Sequence, residues 1–267
     1  MNRRDLLIAS AAVTGSALTM RLQQRKYSRD LRPSRSRIAI LHTDHYADHL
    51  DELVYDGLRP FNLDVHGKSI LLKPNIVEYI RGKPVNTDPQ LIGATAEAFL
   101  RLDAASVTVG EGPGHHRDTE LLLYETGLGD QLVHRKIAFV DLNRDELVKT
   151  RLRANYSGVG HLCLPRTVLA SDFIVSMPKL KTHHWTGVTL SMKNMFGIVP
   201  GSRYGRKMSS TGPAFTKVFS TSVPQCGRIS LSLTGSSLWK ATVRSTELRN
   251  RSIRFYSPTI LSLPMLN

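Results

Sequence analysis

The 267-residue sequence contains little cysteine, and this limits the cofactors that it can hold. Only Cys163 and Cys226 are present. An iron–sulfur cluster with four cysteine ligands and a cysteine-rich zinc site each need more thiolates than this. The positions of the two cysteines do not show whether they meet in a disulfide. The sequence therefore argues against a four-cysteine cluster and leaves any other cofactor unidentified.

The sequence also lacks a continuous apolar run of membrane-spanning length. Its longest mildly apolar stretch, "LLIASAAVTGSALTM", lies within residues 1–26 and falls short of the about 20 residues that a transmembrane helix needs. A short basic start with Arg3 and Arg4 precedes this stretch and resembles a twin-arginine export signal. We predict that residues 1–26 are a signal segment that directs the protein to the periplasm or the outside through the twin-arginine machinery. No small-x-small cleavage site is evident, so an uncleaved leader that anchors the chain is the alternative.

Acidic residues are scarce at both ends of the chain. Residues 1–37 carry nine Arg and Lys against two Asp, and residues 208–267 carry seven against Glu247 alone. Of the formal net charge of +14, only +1 is left for residues 38–207. A nucleic-acid-binding domain usually concentrates positive charge on its folded face. We therefore expect no nucleic-acid partner, and we interpret residues 27–37, which are basic and polar, as a linker.

The central body alternates between strand and helix patterns. The strand "KSILLKPNI" is apolar almost throughout, which is typical of a parallel sheet covered on both faces. The sequence therefore predicts an α/β fold, a mostly parallel sheet with helices on both faces. The predicted strands are 37–43, 68–76, 106–114, 136–143 and one within 168–182, and the predicted helices are 47–61, 87–104 and 118–128.

Polar clusters follow three of the predicted strands directly. These clusters are "KPN" at 73–75, "GEGPG" at 110–114 and "PKLKTHH" at 178–184. Ligands of such sheets bind beyond the carboxyl ends of the strands, so we expect the clusters to share one edge. The glycine cluster matches neither the dinucleotide-binding nor the P-loop pattern. A plain tight loop is favoured for it over an anion cradle.

The third cluster contains most of the predicted site. Lys179, Lys181 and His183 alternate, so an extended chain would point them to one side. Lysines suit phosphate or carboxylate groups, and a neutral histidine can bind a metal or move a proton. A solvated loop explains any single lysine, but charges embedded in apolar sequence are usually paired or used. The predicted ligand-binding residues are Lys73, Asn75, Lys179, Lys181, Lys193 and Asn194. The predicted catalytic acid–base groups are His183 and Glu111, and the identity of any metal is left open.

Five sequence blocks together resemble the family called domain of unknown function 362. They are "LLKPNIV", "TDPQLIGATAEAFL", "VTVGEGPG", "DFIVSMPKLKTH" and "VTLSMKNMFGIVPGSRYG", in this order, within an α/β domain placed at residues 38–206. The resemblance implies an α/β fold without an assigned activity, and its recurrent polar positions match the eight site residues named above. Some relatives carry ferredoxin-like iron–sulfur segments, for which this chain has too few cysteines.

The resemblance weakens after about residue 207. The family pattern continues with further strand–helix units, whereas residues 207–267 are rich in Ser, Thr and Arg and nearly free of acid. We interpret this segment as a basic tail that is disordered or arises from a frameshift, which would leave the sheet incomplete at its carboxyl-terminal side.

The sequence leads to one main functional hypothesis and two alternatives. The main hypothesis is an exported α/β protein that binds an anionic small molecule or a metal-bound cofactor at the carboxyl edge of its sheet. The alternatives are a non-catalytic cofactor-binding or maturation protein and an inactive truncated gene product. Neither a Gly-x-Ser-x-Gly elbow nor a His-Glu-x-x-His motif is present, so no reaction class follows.

Overall fold

A seven-stranded sheet forms the centre of the computed structural model. The structure describes residues 38–41, 43, 49–114, 117–151, 160–183, 187–201, 203–204, 229–234 and 259–262. The strands of the central sheet are β1 Ile38–Leu41, β2 Ser69–Pro74, β3 Ser106–Glu111, β4 Ala138–Asp141, β7 Phe173–Met177, β10 Ile229–Thr234 and β11 Thr259–Ser262. Two hairpins supply the other strands, which are β5 Leu147–Arg151, β6 His161–Pro165, β8 Lys181–His183 and β9 Gly187–Thr189.

The strand order of the central sheet is β1-β11-β10-β7-β2-β3-β4. The neighbours from β10 to β4 pair in parallel, whereas β11 is antiparallel to both β10 and β1. This arrangement confirms the predicted α/β fold with a mostly parallel sheet. It also places the carboxyl ends of β2, β3 and β7 at one edge.

The helices are short and most lie between the strands. They are α1 Leu50–Leu58, α2 Pro89–Arg101, α3 Thr119–Glu125, α4 Leu128–His134, α5 Arg166–Ala170 and α6 Ser191–Met195, with 3₁₀ turns at Arg59–Phe61 and Phe196–Ile198. The side chains of Asp88 and Asp118 cap α2 and α3 by accepting hydrogen bonds from backbone N–H groups of the first turn. No helix among the described residues is both long and apolar enough to cross a membrane.

Alternate residues of the central strands bury against different layers. Ile70 and Leu72 belong to a core with α1, α2 and α4, while Leu71 belongs to a second core with the β5–β6 hairpin. Met195 and Ile198 join this second core and fix α6 and the following turn against the sheet. Because both faces are covered, β2 needs the near-continuous apolar sequence from which the fold was predicted.

Two short segments near the carboxyl end form strands in the structure. The apolar residues of β10 alternate at Ile229, Leu231 and Leu233, which is the period-2 pattern of a strand. Strand β10 extends the parallel part of the sheet beside β7. The remaining residues of 207–267, the signal segment 1–26 and the linker 27–37 lie outside the described residues, so their predicted roles stay predictions.

Candidate functional site

The carboxyl ends of β2, β3 and β7 place the three predicted clusters side by side. Lys73 pairs in register with Ser176 of β7, and Pro74, which ends β2, pairs with Met177. Glu111 ends β3 on the other side of β2. The lysine-rich segment begins immediately after β7. Parallel pairing therefore brings together residues that are about 40 to 120 positions apart in the chain, as the topology of such sheets requires.

An ion pair between Lys73 and Glu111 lies at the base of this site. Lys73 Nζ is 2.5 Å from Glu111 Oε1, and the Lys73 residue is only 1% exposed. The ammonium also donates to Pro74 O at 2.8 Å and reaches Asn194 Oδ1 at 3.4 Å. A lysine ammonium has three donors, and each of them has an acceptor here.

Backbone groups hold the Glu111 carboxylate from two further sides. Gly112 N donates to Oε1, and Ile76 N donates to Oε2, both at 2.8 Å. Burial raises the pKa of Glu111, while Lys73 and these N–H groups oppose the rise. Burial likewise lowers the pKa of Lys73, and Glu111 opposes that change. Each partner thus opposes the shift that burial causes in the pKa of the other, and the hydrogen bonds around the pair occupy both charged groups.

Two glycines let the surrounding loops close tightly on the ion pair. A Cβ at Gly197 would lie 3.0 Å from Lys73 Nζ and 3.3 Å from Glu111 Oε1. A Cβ at Gly112 would lie 3.1 Å from the Gly197 carbonyl oxygen. The glycine cluster thus forms a tightly packed loop, which is the interpretation that the sequence favoured. The 3₁₀ turn after α6 covers the charged groups.

Asn194 connects α6 to the strand ends. Its Nδ2 donates to Lys73 O at 2.8 Å and to Ser176 Oγ at 3.1 Å, while its Oδ1 faces Lys73 Nζ. Every polar atom of this side chain therefore has a protein partner. The predicted residue Asn194 lies in the site, and its geometry is that of a residue that positions α6.

Lys181 lies on β8 and reaches across to the loop before α2. Its Nζ donates to Val85 O at 2.7 Å, and the residue is 8% exposed. Burial lowers the pKa of Lys181 to about 8, with a smaller contribution from the nearby charge of Lys193. Glu111 and Glu78 act in the opposite direction. Lys181 is thus a buried cation that no carboxylate neutralises by direct contact among the described residues.

Lys179 and Lys193 complete the cationic cluster. Lys179 is 2% exposed, and burial lowers its pKa while Asp88 opposes the change. Lys193, on α6, is half-buried, and both its burial and the charge of Lys73 lower its pKa. In the described part of the chain, Lys193 forms neither an ion pair nor a hydrogen bond. The structure therefore brings three of the predicted lysines within electrostatic reach of the buried Glu111 carboxylate, namely Lys73, Lys181 and Lys193. Lys179 interacts with Asp88 and Lys181.

Asn75 lies just beyond the end of β2 with an unsatisfied side chain. The residue is 7% exposed, and its Oδ1 is buried without a hydrogen-bond partner among the described residues. Its backbone N–H donates to Thr87 Oγ1 at 2.9 Å, and its carbonyl accepts from Thr87 N at 3.1 Å. Two hydrogen bonds with Thr87 therefore hold the backbone of Asn75, whereas its side-chain oxygen has no partner among the described residues.

His183 ends β8, and its side chain lies outside the described part of the structure. Its predicted catalytic role stays a prediction. The described residues contain no group of three or more His, Cys, Asp or Glu side chains that could hold a metal ion.

Sequence reasoning missed several residues that shape the site. Thr87 donates to Met177 O at 2.6 Å and so ties the loop before α2 to the end of β7. Thr189 and Ser191 each have a buried hydroxyl without a partner in the described structure. Their place beside the lysine segment was visible in the sequence, but hydroxyl residues are common near turns and gave no distinct signal.

Comparison with known protein families identifies the family of this chain. The family model of the domain of unknown function DUF362 matches residues 70–247, which is more than half of the chain. The chain belongs to this family, as the sequence blocks predicted. The match continues beyond residue 206, where the resemblance in the sequence was placed to end.

One curated relative and two solved structures are similar to parts of the chain. A thylakoid-associated protein of Synechocystis is 26% identical over 136 residues, which cover 51% of this chain and 40% of that protein. A Thermotoga maritima protein aligns with a TM-score of 0.46 and 13% identity, over 80% of this chain and 54% of that one. Lactate racemase apoprotein from Thermoanaerobacterium thermosaccharolyticum aligns with a TM-score of 0.49 and 12% identity, over 79% and 51%. The matched region spans about half or less of each of these proteins.

Proposed function

We propose that the protein binds a small anionic molecule at the carboxyl edge of its sheet, through Lys179, Lys181 and Lys193. The observation that carries this proposal is Lys193. It is half-buried beside the Lys73–Glu111 pair and forms neither an ion pair nor a hydrogen bond among the described residues. The charge of Glu111 attracts it, but Glu111 is already paired with Lys73. An ammonium removed from water without a directly paired counter-charge costs free energy, which a bound anion would offset.

The charges of the cluster point to the same ligand class. Three lysine ammoniums interact with the buried Glu111 carboxylate, and one of them, Lys73, is its direct ion-pair partner. Lys179 lies near Lys181 and adds a fourth positive charge. Asp88 and Glu78 act on Lys179 and Lys181 less strongly than burial does. The cluster therefore carries an excess of positive charge in a region of low dielectric, where attraction to an anion is stronger than in water.

The site residues divide into two roles under this proposal. Lys181 and Lys193 contact the anion, with Lys179 adding charge. Lys73, Glu111 and Asn194 position the loops, because their polar atoms are occupied by one another and by the backbone. This occupation favours a binding role over catalysis by Glu111, so a non-catalytic cofactor-binding protein is the second candidate.

The role of His183 separates the two candidates. If the protein is an enzyme, His183→Ala should abolish turnover of a bound ligand while the ligand still binds. If the protein only holds its ligand, the same variant should change retention alone. This comparison becomes possible once a bound ligand has been found.

Isothermal titration of the purified chain with inorganic phosphate and with propanoate tests the anion site. We expect Lys193→Met to weaken binding about tenfold or more, because a charge-assisted hydrogen bond contributes about 1.5–3 kcal/mol. Lys136→Met is the matched control, since exposed Lys136 precedes β4 and lies at the opposite, amino end of the parallel strands. Equal binding by wild type and both variants would contradict the proposal.

A further inference from the structure

Three buried oxygen atoms near the lysine cluster lack a hydrogen-bond partner in the described structure. They are Asn75 Oδ1, Thr189 Oγ1 and Ser191 Oγ. Buried polar atoms in native proteins nearly always have a partner, so each such atom needs an explanation. An unpaired buried donor or acceptor costs about 1–3 kcal/mol. The free-energy cost of three unpaired buried oxygens in one part of the molecule therefore needs an explanation other than side-chain packing.

The topology places these atoms around the same ion pair. Asn75 follows Lys73 by two residues, and the next residue, Ile76, donates its N–H to Glu111. Thr189 is the Cα partner of Lys181 in the antiparallel β8–β9 pair. Residues opposite each other in such a pair project to the same face, so the hydroxyl lies on the side of Lys181.

Ser191 lies on α6 together with the groups that reach the ion pair. Ser191 and Asn194 are three residues apart on this helix and so share a face. Asn194 reaches Lys73 from that face. The same helix carries Lys193, whose ammonium forms neither an ion pair nor a hydrogen bond with a described residue. The unpaired hydroxyls therefore lie among the cations that the proposed anion would contact.

The chemistry of the three oxygens differs in one decisive way. A hydroxyl of Thr or Ser can donate a hydrogen bond, so Thr189 and Ser191 can each donate to an oxygen of a bound anion. The amide oxygen of Asn75 only accepts. A fully ionised carboxylate or phosphate monoester has no hydrogen to give it. Because no described residue donates to Asn75 Oδ1, another part of the ligand or a water molecule is left as its donor.

We infer that the ligand is a hydroxylated anion, with a carboxylate or phosphate held by the lysines and the two hydroxyls and an O–H group that donates to Asn75 Oδ1. This inference rests on the proposed anion site and names its ligand class more narrowly. A carboxylate and a phosphate both offer negatively charged oxygens to the lysines. Two matched pairs of probe molecules, one of carboxylates and one of phosphates, show which anionic group the site prefers.

The experiment is a titration of the full chain with two pairs of three-carbon anions at pH 7.5. Glycerate is compared with propanoate, and glycerol 1-phosphate with propyl phosphate. Within each pair the anionic group is the same and only the hydroxyls differ. We expect the hydroxylated member of the preferred pair to bind about five- to tenfold more tightly, which is the effect of one or two net hydrogen bonds.

Variants assign the preference to particular atoms. Asn75→Leu should remove the preference and leave affinity for the deoxy member nearly unchanged. Asn75→Asp keeps an acceptor at the same place, so it should keep the preference while weakening both members, because it adds a negative charge. Thr189→Val should weaken both members alike. Thermal unfolding without ligand confirms that each variant folds.

The outcomes separate the two proposals. If no probe binds, the anion site itself is wrong. If both members of each pair bind equally to the wild type, the anion site stands and the hydroxylated-ligand inference is overturned, with water as the partner of Asn75. If the preference exists but survives in Asn75→Leu, the assigned acceptor is wrong.

Discussion

Lys73 Nζ lies 2.5 Å from Glu111 Oε1 in a pair of which both members are almost fully buried. The pair joins the ends of β2 and β3, and the glycine-containing turn after α6 closes over it. A buried ion pair is weak evidence for stability, but breaking one by removing a single partner leaves an uncompensated charge. The first prediction follows from this asymmetry.

Glu111→Gln and Lys73→Met should each lower the free energy of unfolding by about 3–5 kcal/mol, because each leaves the other group buried without its counter-charge. The double variant should lose much less than the sum of the two. Urea unfolding of the four proteins measures this coupling. Additive losses would mean that the two side chains do not depend on one another.

Gly197→Ala should destabilise the protein by about 1–3 kcal/mol, since the added Cβ meets Lys73 Nζ at 3.0 Å and overpacks the site. Gly114→Ala is the matched control, because a Cβ there has no atom within 4 Å. Thermal unfolding of both variants gives the comparison. The tight closure over the ion pair would be disproved by equal midpoints for the two.

Lys193→Met should stabilise the ligand-free protein by up to about 1 kcal/mol while it weakens anion binding. The reason is that the wild-type ammonium is half-buried and repelled by Lys73, while the attracting charge of Glu111 is already paired with Lys73. Sites kept for binding often cost stability in this way. Urea unfolding without ligand measures the first effect and titration the second. A variant that is less stable and still binds would show that Lys193 has a structural role instead.

The ligand-free protein should gain stability from Lys181 as pH rises from about 8 towards 10. The pKa of Lys181 is about 8 in the folded state against 10.5 ordinarily. In this window the unfolded state binds more protons, so the free energy of unfolding rises with pH. Below about pH 8 both states are protonated and the contribution is flat. Unfolding of wild type and Lys181→Met across this range isolates the slope, which should be steeper for wild type.

Anion binding should show the opposite pH dependence. Deprotonation of Lys181 removes a positive charge, so affinity for a ligand of fixed charge should fall about tenfold between pH 7 and 9. Propanoate is a suitable probe because its own charge does not change in this range. Titration of Lys181→Met should give a shallower fall. If affinity falls equally with pH in wild type and Lys181→Met, the group whose deprotonation weakens binding is not Lys181.

Export through the twin-arginine machinery is proposed from the sequence alone. A reporter protein that is active only in the periplasm should show activity when it is fused to residues 1–37. Replacing Arg3 and Arg4 by lysine should abolish this activity. Replacing Arg21 and Arg25 by lysine is the control for a general loss of basic residues. Signal that survives the first replacement would exclude this pathway for the segment.

The sequence by itself determined the fold class, the family and the edge of the sheet at which the candidate site residues lie. The apolar runs of β2 and β7 require a sheet covered on both faces, and the polar residues after each run mark the edge at which the strands end. This logic placed Lys73, Glu111 and the lysine segment together correctly. This logic works because a buried strand requires a continuous run of apolar residues, and the end of the strand is marked by the polar residues that follow the run.

Only the tertiary structure decided which of these side chains are hydrogen-bonded within the protein and which have polar atoms without a described partner. Lys73 was predicted to bind a ligand and Glu111 to act as a catalytic acid–base group. Their direct pairing across 38 positions of the sequence occupies both side chains. The short pieces β8, β9 and α6 carry too little periodicity to be predicted, yet they place Lys193 without a described partner and leave the oxygen of Asn75 unsatisfied. Hydrogen bonds and desolvation depend on contacts between distant segments, and these contacts leave no local pattern in the sequence.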